Sequence, residues 1–174
     1  FEITRIEQLD GEVLYEKGQN RIKKPNPQIY VFETAPTVED GYLGVRFVTP
    51  VRIRKNGCAL KDFCFDDLIK SAIRRITIMN YFYGTNQIVD SEWTKQMIHS
   101  AGMVEKIRDE TRYYSFHRYS GRQERKIELD GVVGGLSFKN VTPELAGILK
   151  WTEKIGLGKS TSFGFGRIEI QTER

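Results

Sequence analysis

With 174 residues, 39% of them hydrophobic, the chain can close a normal apolar core; wholesale disorder is excluded, and one compact domain with an appendage, or two very small domains, is what fits. Twenty-seven Lys and Arg face twenty-three Asp and Glu, for a net charge of +4. That excess permits a polyanionic partner without requiring one, so the placement of the charges matters more than their sum. No signal peptide and no long apolar run is seen, which predicts a soluble cytoplasmic protein with no membrane contact. Cys58 and Cys64 read as two reduced thiols flanking a loop, and no Cys/His cluster has metal-ligand spacing, so neither a metal nor a cofactor is expected.

Phe1 opens directly into Glu2-Ile3-Thr4-Arg5-Ile6, an alternation typical of the middle of a sheet, and an upstream segment is therefore expected. Residues 1 to 18 predict two short strands around the turn at Asp10-Gly11. Residues 19 to 41 are polar, carry Pro25, Pro27 and Pro36 beside Lys23 and Lys24, and read as a linker. From residue 42 a strong strand runs to about 54, alternating through Leu43, Val45 and Phe47, bent by Pro50 and ended at Asn56-Gly57. Residues 63 to 83 make the clearest helix, with Phe65, Leu68, Ile69, Ala72, Ile73, Ile76 and Met79 on one stripe, Asp66 and Asp67 in the first turn and Gly84 as the stop. A second helix is expected over about 91 to 107, with Trp93, Met97 and Ile98 buried.

Strands are expected over 110 to 119 and 127 to 138, joined by the polar, mostly basic stretch Ser120 to Lys126. Thr142, Pro143 and Glu144 then start a helix over 143 to 155, and a final strand covers Gly166 to Gln171. From residue 42 the order is strand, helix, extra helix, strand, strand, helix, strand. That is the split βαβ order of an α+β ferredoxin-like domain with an antiparallel sheet. Residues 42–174 form that domain on this reading, and 1–41 are the remnant of a first ferredoxin-like domain with its linker. The fold hosts many functions and decides none of them.

The stretch 156 to 166 reads Gly-Leu-Gly-Lys-Ser-Thr-Ser-Phe-Gly-Phe-Gly. Gly156, Gly158, Gly164 and Gly166 let the backbone approach a ligand closely and turn N–H groups toward it. Lys159 adds a cation, and Ser160, Thr161 and Ser162 add hydroxyl donors, which together suit phosphate oxygens. A nucleotide-binding P-loop is rejected, because it needs glycine where Glu153 stands and a strand before with a helix after, the reverse of the order here. A tight connection needing glycine for steric reasons alone is the plain alternative, and it leaves the Lys-Ser-Thr-Ser run unexplained.

Helix, then Gly-x-Gly-Lys-x-Thr-x-Phe-Gly-x-Gly, then last strand resembles the C-terminal signature of the CRISPR-associated repeat-RNA endoribonucleases of the RAMP superfamily. Leu43 to Ile53, with its Thr-Pro bend, resembles the first strand of that family's second domain. Phe65 to Gly84 resembles its first helix, and Arg118 to Gln123 followed by Gly131 to Gly135 resembles its central hairpin. The match spans about 42 to 172. It implies tandem ferredoxin-like domains that bind CRISPR repeat RNA across a shared face. It also implies metal-independent processing of pre-crRNA, in which the 2′-hydroxyl attacks the adjacent phosphate to leave a 2′,3′-cyclic phosphate and a 5′-hydroxyl. The family's catalytic histidine usually lies in the first domain near its first helix, so it is expected upstream of Phe1, with this chain supplying mainly the RNA-binding half. Other CRISPR effector subunits are implied as partners, and a homodimer is left open.

Two histidines exist. His117, among Tyr113, Tyr114, Tyr119 and Arg118, is the candidate general base within the chain, since histidine titrates near neutrality; a surface strand histidine is the plain reading. His99 is a weaker candidate. The hairpin tip with Arg118, Arg122, Arg125 and Lys126 is a second RNA-binding candidate, expected to touch backbone and loops because the deep groove of RNA is too narrow for base reading. Arg74 and Arg75, off the apolar stripe of their helix, could face RNA or simply water, and water is the favoured expectation. Two further readings are a non-cutting RAMP subunit that scaffolds a guide-RNA complex and a protein–protein module with a steric glycine turn.

Overall fold

The computed structural model describes residues 2–8, 11–26, 36–84, 89–120 and 124–172, without the side chains at 118, 120, 125, 127 and 128. The chain divides into two compact units, Phe1–Glu33 and Thr34–Arg174. In the first, β1 (Arg5–Glu7) and β2 (Val13–Glu16) pair antiparallel, with Ile6 opposite Tyr15. This is the expected hairpin; its Asp10 lies outside the described residues.

The second unit contains β3 (Leu43–Val51), β4 (Arg54–Lys55), β5 (Cys58–Ala59), α1 (Phe65–Tyr83), α2 (Ser91–Ala101), β6 (Glu105–Asp109), β7 (Arg112–Ser120), β8 (Arg125–Lys139), α3 (Pro143–Ile155) and β9 (Ile168–Gln171). Strand alternation sends Leu43, Val45 and Phe47 of β3 into the core, where α1 and α3 pack together on one face of the sheet. The apolar stripe of α1 is buried from Phe65 through Ile73, with Ile76 packed at its margin. Edge-to-face contacts join Phe65 to Phe138 at 4.8 Å and Phe47 to Phe63 at 5.7 Å, and such rings contribute roughly 0.5–1.5 kcal/mol beyond their area. Thr142 caps α3 through Leu145 N–H at 3.4 Å, with Pro143 at the first position, as its sequence signals.

Asn56-Gly57 is the turn of a small hairpin, β4–β5, and not merely the end of a strand. The second helix stops at Ala101, six residues before the expected end. Gly102 caps it with N–H bonds to the Ile98 and His99 carbonyls, and Glu105 onward is drawn into the sheet, where Glu105 faces Lys139 of β8. Trp93, expected to be buried, is exposed; Ala101 is the fully buried residue of α2, with Met97 only part-covered.

β6 and β7 lie end to end on the same edge of the fifteen-residue β8, first against Lys139–Leu136 and then against Val133–Arg125. They are one strand broken at Glu110-Thr111, where Glu110 N–H donates to the Gly135 carbonyl at 2.9 Å. Gly134 makes the break feasible: its φ is +113°, and any Cβ there would collide with the Glu110 carbonyl. With the broken strand counted once, the sheet order β6/β7-β8-β3-β9 is the 2-3-1-4 antiparallel order of a ferredoxin-like domain.

Candidate nucleic-acid interface

The glycine-rich segment divides into a tied base and an open apex. At the base, Leu157 is fully buried and its N–H donates to the Gly166 carbonyl at 2.8 Å. Lys159 N–H donates to the Arg52 carbonyl at 2.8 Å, and Gly166 N–H to the Pro50 carbonyl at 3.0 Å. Arg167 N–H reaches the Thr49 hydroxyl at 2.9 Å. The Thr-Pro bend of β3 and the glycine loop are therefore one construction, separated by more than 100 residues in the chain. A Cβ on Gly158 would stand 2.5 Å from the Arg52 carbonyl, and one on Gly166 would drive into the Leu157 carbonyl. These two glycines are needed for close approach to the protein's own backbone, and Gly158 also lines the groove beside the loop.

The apex differs. Ser160 adopts a left-handed conformation with φ +65°, and the chain turns through Thr161–Phe163 to Gly164 at φ +83° with nothing beside its missing side chain. Among the described residues, neither the N–H groups nor the hydroxyls of Ser160, Thr161 and Ser162 donate to a protein acceptor. Three consecutive uncommitted amides with adjacent hydroxyls make the kind of concavity that receives an anion.

That apex opens onto a cavity of about 610 Å³ between the loop, the end of β3, β4 and α1. Arg52, Arg54, Lys55, Lys70, Arg74, Arg75 and Lys159 line it, against the single carboxylate of Asp67. Lys55 sits 3.2 Å from Asp67, whose hydrogen bond raises the lysine pKa above its ordinary value. Asp67 also accepts from Cys64 N–H at 3.2 Å, and Lys70 holds Asp66 at 2.5 Å. Cys64, Asp66 and Asp67 are the one group of potential metal ligands among the described residues, and both carboxylates are thus already occupied by cations. Cys58 and Cys64 are free and exposed. Arg75 donates to the Ile155 carbonyl at 3.1 Å, tying α1 to the end of α3. Arg74 and Lys159 have no carboxylate partner among the described residues.

Arg52 is anchored from behind. Its Nη2 lies 2.7 Å from Asp130, a buried carboxylate that also accepts the Tyr113 hydroxyl at 2.6 Å, while Lys61 stands 5.0 Å from the centre of the Tyr113 ring. Sequence reasoning missed Arg52, Arg54, Lys55 and Lys70, and favoured water over RNA for Arg74 and Arg75, which line the groove. The signal was present as cations flanking β3's exit and recurring along α1, but only the fold places them opposite the loop.

The remaining candidates are placed as follows. Phe116 of β7 meets Phe165 of the loop at 6.1 Å, so the hairpin and the loop touch. His117 is exposed on the opposite face of β7, the face shared with Tyr113 and Asp130, and it has no hydrogen-bond partner among the described residues. Lys126 is exposed opposite Tyr119. Arg122 and the side chains of Arg118 and Arg125 lie outside the described residues. His99 is exposed near the end of α2.

Sheet order, helix placement and the glycine loop before the last strand define a ferredoxin-like domain of the RAMP type. The family described as CRISPR-associated endoribonuclease Cas6 matches residues 45–168, and the chain belongs to that family. No curated protein sequence matches it. Among solved structures it is similar to Thermus thermophilus Cas6, at 13% identity and a TM-score of 0.60 over 79% of this chain and 55% of that one. A Cas6 product complex aligns at 17% identity and a TM-score of 0.54 over 80% of this chain and 54% of that one. A partial Cas6-RT-Cas1–Cas2 complex aligns at 14% identity and 0.53, over 76% of this chain and 22% of that one. The chain spans about half the length of the first two, and at these identities the likeness establishes the fold. No described helix is long and apolar enough to cross a membrane.

Proposed function

We propose that this chain grips CRISPR repeat RNA for an endoribonuclease that processes pre-crRNA. One observation carries the reading: the uncommitted amides and hydroxyls of Ser160 and Thr161, with Lys159, open onto a groove lined by seven cations, four of which have no carboxylate partner among the described residues. Amides and arginine forks suit phosphate oxygens, and a groove of one sign concentrates a polyanion. Family membership and the Cas6 product complex support the substrate class. The hairpin residues Arg118, Arg122, Arg125 and Lys126 are a second set of backbone contacts on this reading, reached through the Phe116–Phe165 contact.

The reaction is attack of the RNA 2′-hydroxyl on the adjacent phosphate, with a 5′-hydroxyl leaving and a 2′,3′-cyclic phosphate remaining; it takes place in the cytoplasm. The groove's part is to hold the backbone on either side of the scissile phosphate and to offset charge as it builds on the non-bridging oxygens. His117 is tested by cleavage in EDTA with the complete gene product. A His117→Ala variant that cuts at the wild-type rate removes it from proton transfer, and a loss of about 10²-fold or more places it there.

Binding is tested by the salt dependence of repeat-RNA affinity. Lys159→Ala and Arg74→Ala are each expected to lower affinity and to reduce the slope of log K against log salt by about 0.7, the value for one phosphate contact on a single strand. Unchanged affinity and slope in both would remove the loop and the groove from the site.

A further inference from the structure

The basic groove ends in aromatic rings. Arg74 and Ile78 of α1 line it, and Tyr81 and Phe82 follow Ile78 at the three- and four-residue spacing that shares a helix face. Both rings are exposed, at 71% and 69%, and they touch edge to face at 5.1 Å. Phe163, 54% exposed, lines the same groove from the loop apex. Clustered large apolar groups in water mark a binding surface. A protein and an exposed base both fit such rings, and the neighbouring charges decide between them. Lys70, Arg74 and Arg75 stand on the same helix beside the loop's Lys159, and a protein covering the rings would have to bury part of that charge. A polynucleotide satisfies both features, with phosphates on the cations and bases on the rings. The helical rise puts Tyr81 about 10 Å beyond Arg74, close to the span of three stacked nucleotides.

We propose that an unpaired segment of the bound RNA leaves the glycine loop along α1, its phosphates on Lys70 and Arg74 and its bases stacked on Tyr81 and Phe82, with Phe163 as the stacking ring at the loop end. The proposal rests on the reading of the chain as a repeat-RNA binder and adds the form of RNA it selects. Every base has a π-face, so this surface demands unpaired nucleotides without demanding a sequence.

The test uses the complete gene product and three RNAs: a repeat hairpin, the same hairpin with four unpaired nucleotides at each end, and that RNA with abasic overhangs. Overhangs are expected to tighten wild-type binding at least about fivefold, the lower end for one stacked base, and abasic overhangs much less. The Tyr81→Ser/Phe82→Ser protein should bind the bare hairpin as wild type does and lose the gain from overhangs. The proposal is overturned if the double variant keeps that gain, if abasic overhangs give the full gain, or if the variant weakens the bare hairpin equally. It is also overturned if the variant dissolves a dimer while the gain persists, since the rings then face a second copy. Failure of wild type to bind any of the three RNAs would instead remove the underlying reading.

Discussion

The sheet of the second unit has a concavity on each side, and they differ in a way that size does not capture. On the face turned from the helices, a cavity of about 740 Å³ is lined by Arg46, Arg108 and Arg112 together with Glu110. Its charges are largely spent on one another: Arg46 lies 3.4 Å from Glu169, and Arg108 lies 2.6 Å from Glu110. On the other side, the smaller groove of about 610 Å³ is lined by seven cations; Arg52, Lys55 and Lys70 are paired with Asp130, Asp67 and Asp66, but Arg54, Arg74, Arg75 and Lys159 have no carboxylate partner among the described residues, and the loop apex adds uncommitted amides. A polyanion responds to summed potential and to available donors, so the smaller site is the better candidate. Volume alone would favour the other face.

The comparison breaks most severely at the loop's base. Gly166→Ala and Gly158→Ala force a Cβ into a backbone carbonyl at positive φ and are expected to destabilise by about 3 kcal/mol or more. Gly164→Ala, in open space at φ +83°, should cost about 1–2 kcal/mol, and urea unfolding of the three variants reads the contrast. Next comes the support behind Arg52. Asp130→Ala leaves a largely buried guanidinium unpaired and is expected to cost about 3 kcal/mol, whereas Arg52→Met/Asp130→Leu together should recover much of it in the same unfolding measurement.

The charge contrast itself gives a smaller, specific effect. Arg54→Ala/Lys70→Ala/Arg74→Ala should reduce the salt slope of repeat-RNA binding by about 2, and Arg46→Ala/Arg108→Ala/Arg112→Ala should leave it nearly unchanged. Equal losses from both triples would dissolve the distinction between the faces. The smallest effect lies at the break's edge, at the end of β6. Burial alone would raise the Asp109 pKa, but hydrogen bonds from the Thr111 hydroxyl, Lys106 and the Thr111 amide overcome it and hold the carboxyl at about 2. A depressed folded pKa contributes stability above the ordinary carboxylate value of about 3.9, lost as pH falls from there toward 2. Carboxyl NMR should find a titration midpoint near 2, moving upward in Lys106→Met.

Much of the domain was legible because each element carries its own local signal. The stripe of α1, the Thr142-Pro143 start of α3 and the alternation of β3 each depend on a few neighbouring residues, and all appear in the structure. The second helix was overextended because Glu105–Asp109 follows it without a strong breaker, and only the open edge of β8 makes those residues a strand. The loop's glycines were recognisable as a set, but their division of labour was not. Gly158 and Gly166 press against Arg52 and Leu157, and the contact with Arg52 joins residues distant in the chain. For the same reason most of the groove cations stayed hidden: Arg54 and Lys70 come from segments separate from the loop's Lys159, and no local pattern announces that the three face one cavity.

The most direct test of the central claim is photo-crosslinking of 4-thiouridine-substituted repeat RNA to the complete gene product, read by mass spectrometry. Adducts on peptides carrying Lys159–Phe163 and Lys70–Tyr83 are the predicted result. Adducts confined to the opposite face, on peptides with Tyr42–Arg46 and Arg108–Tyr114, would contradict it.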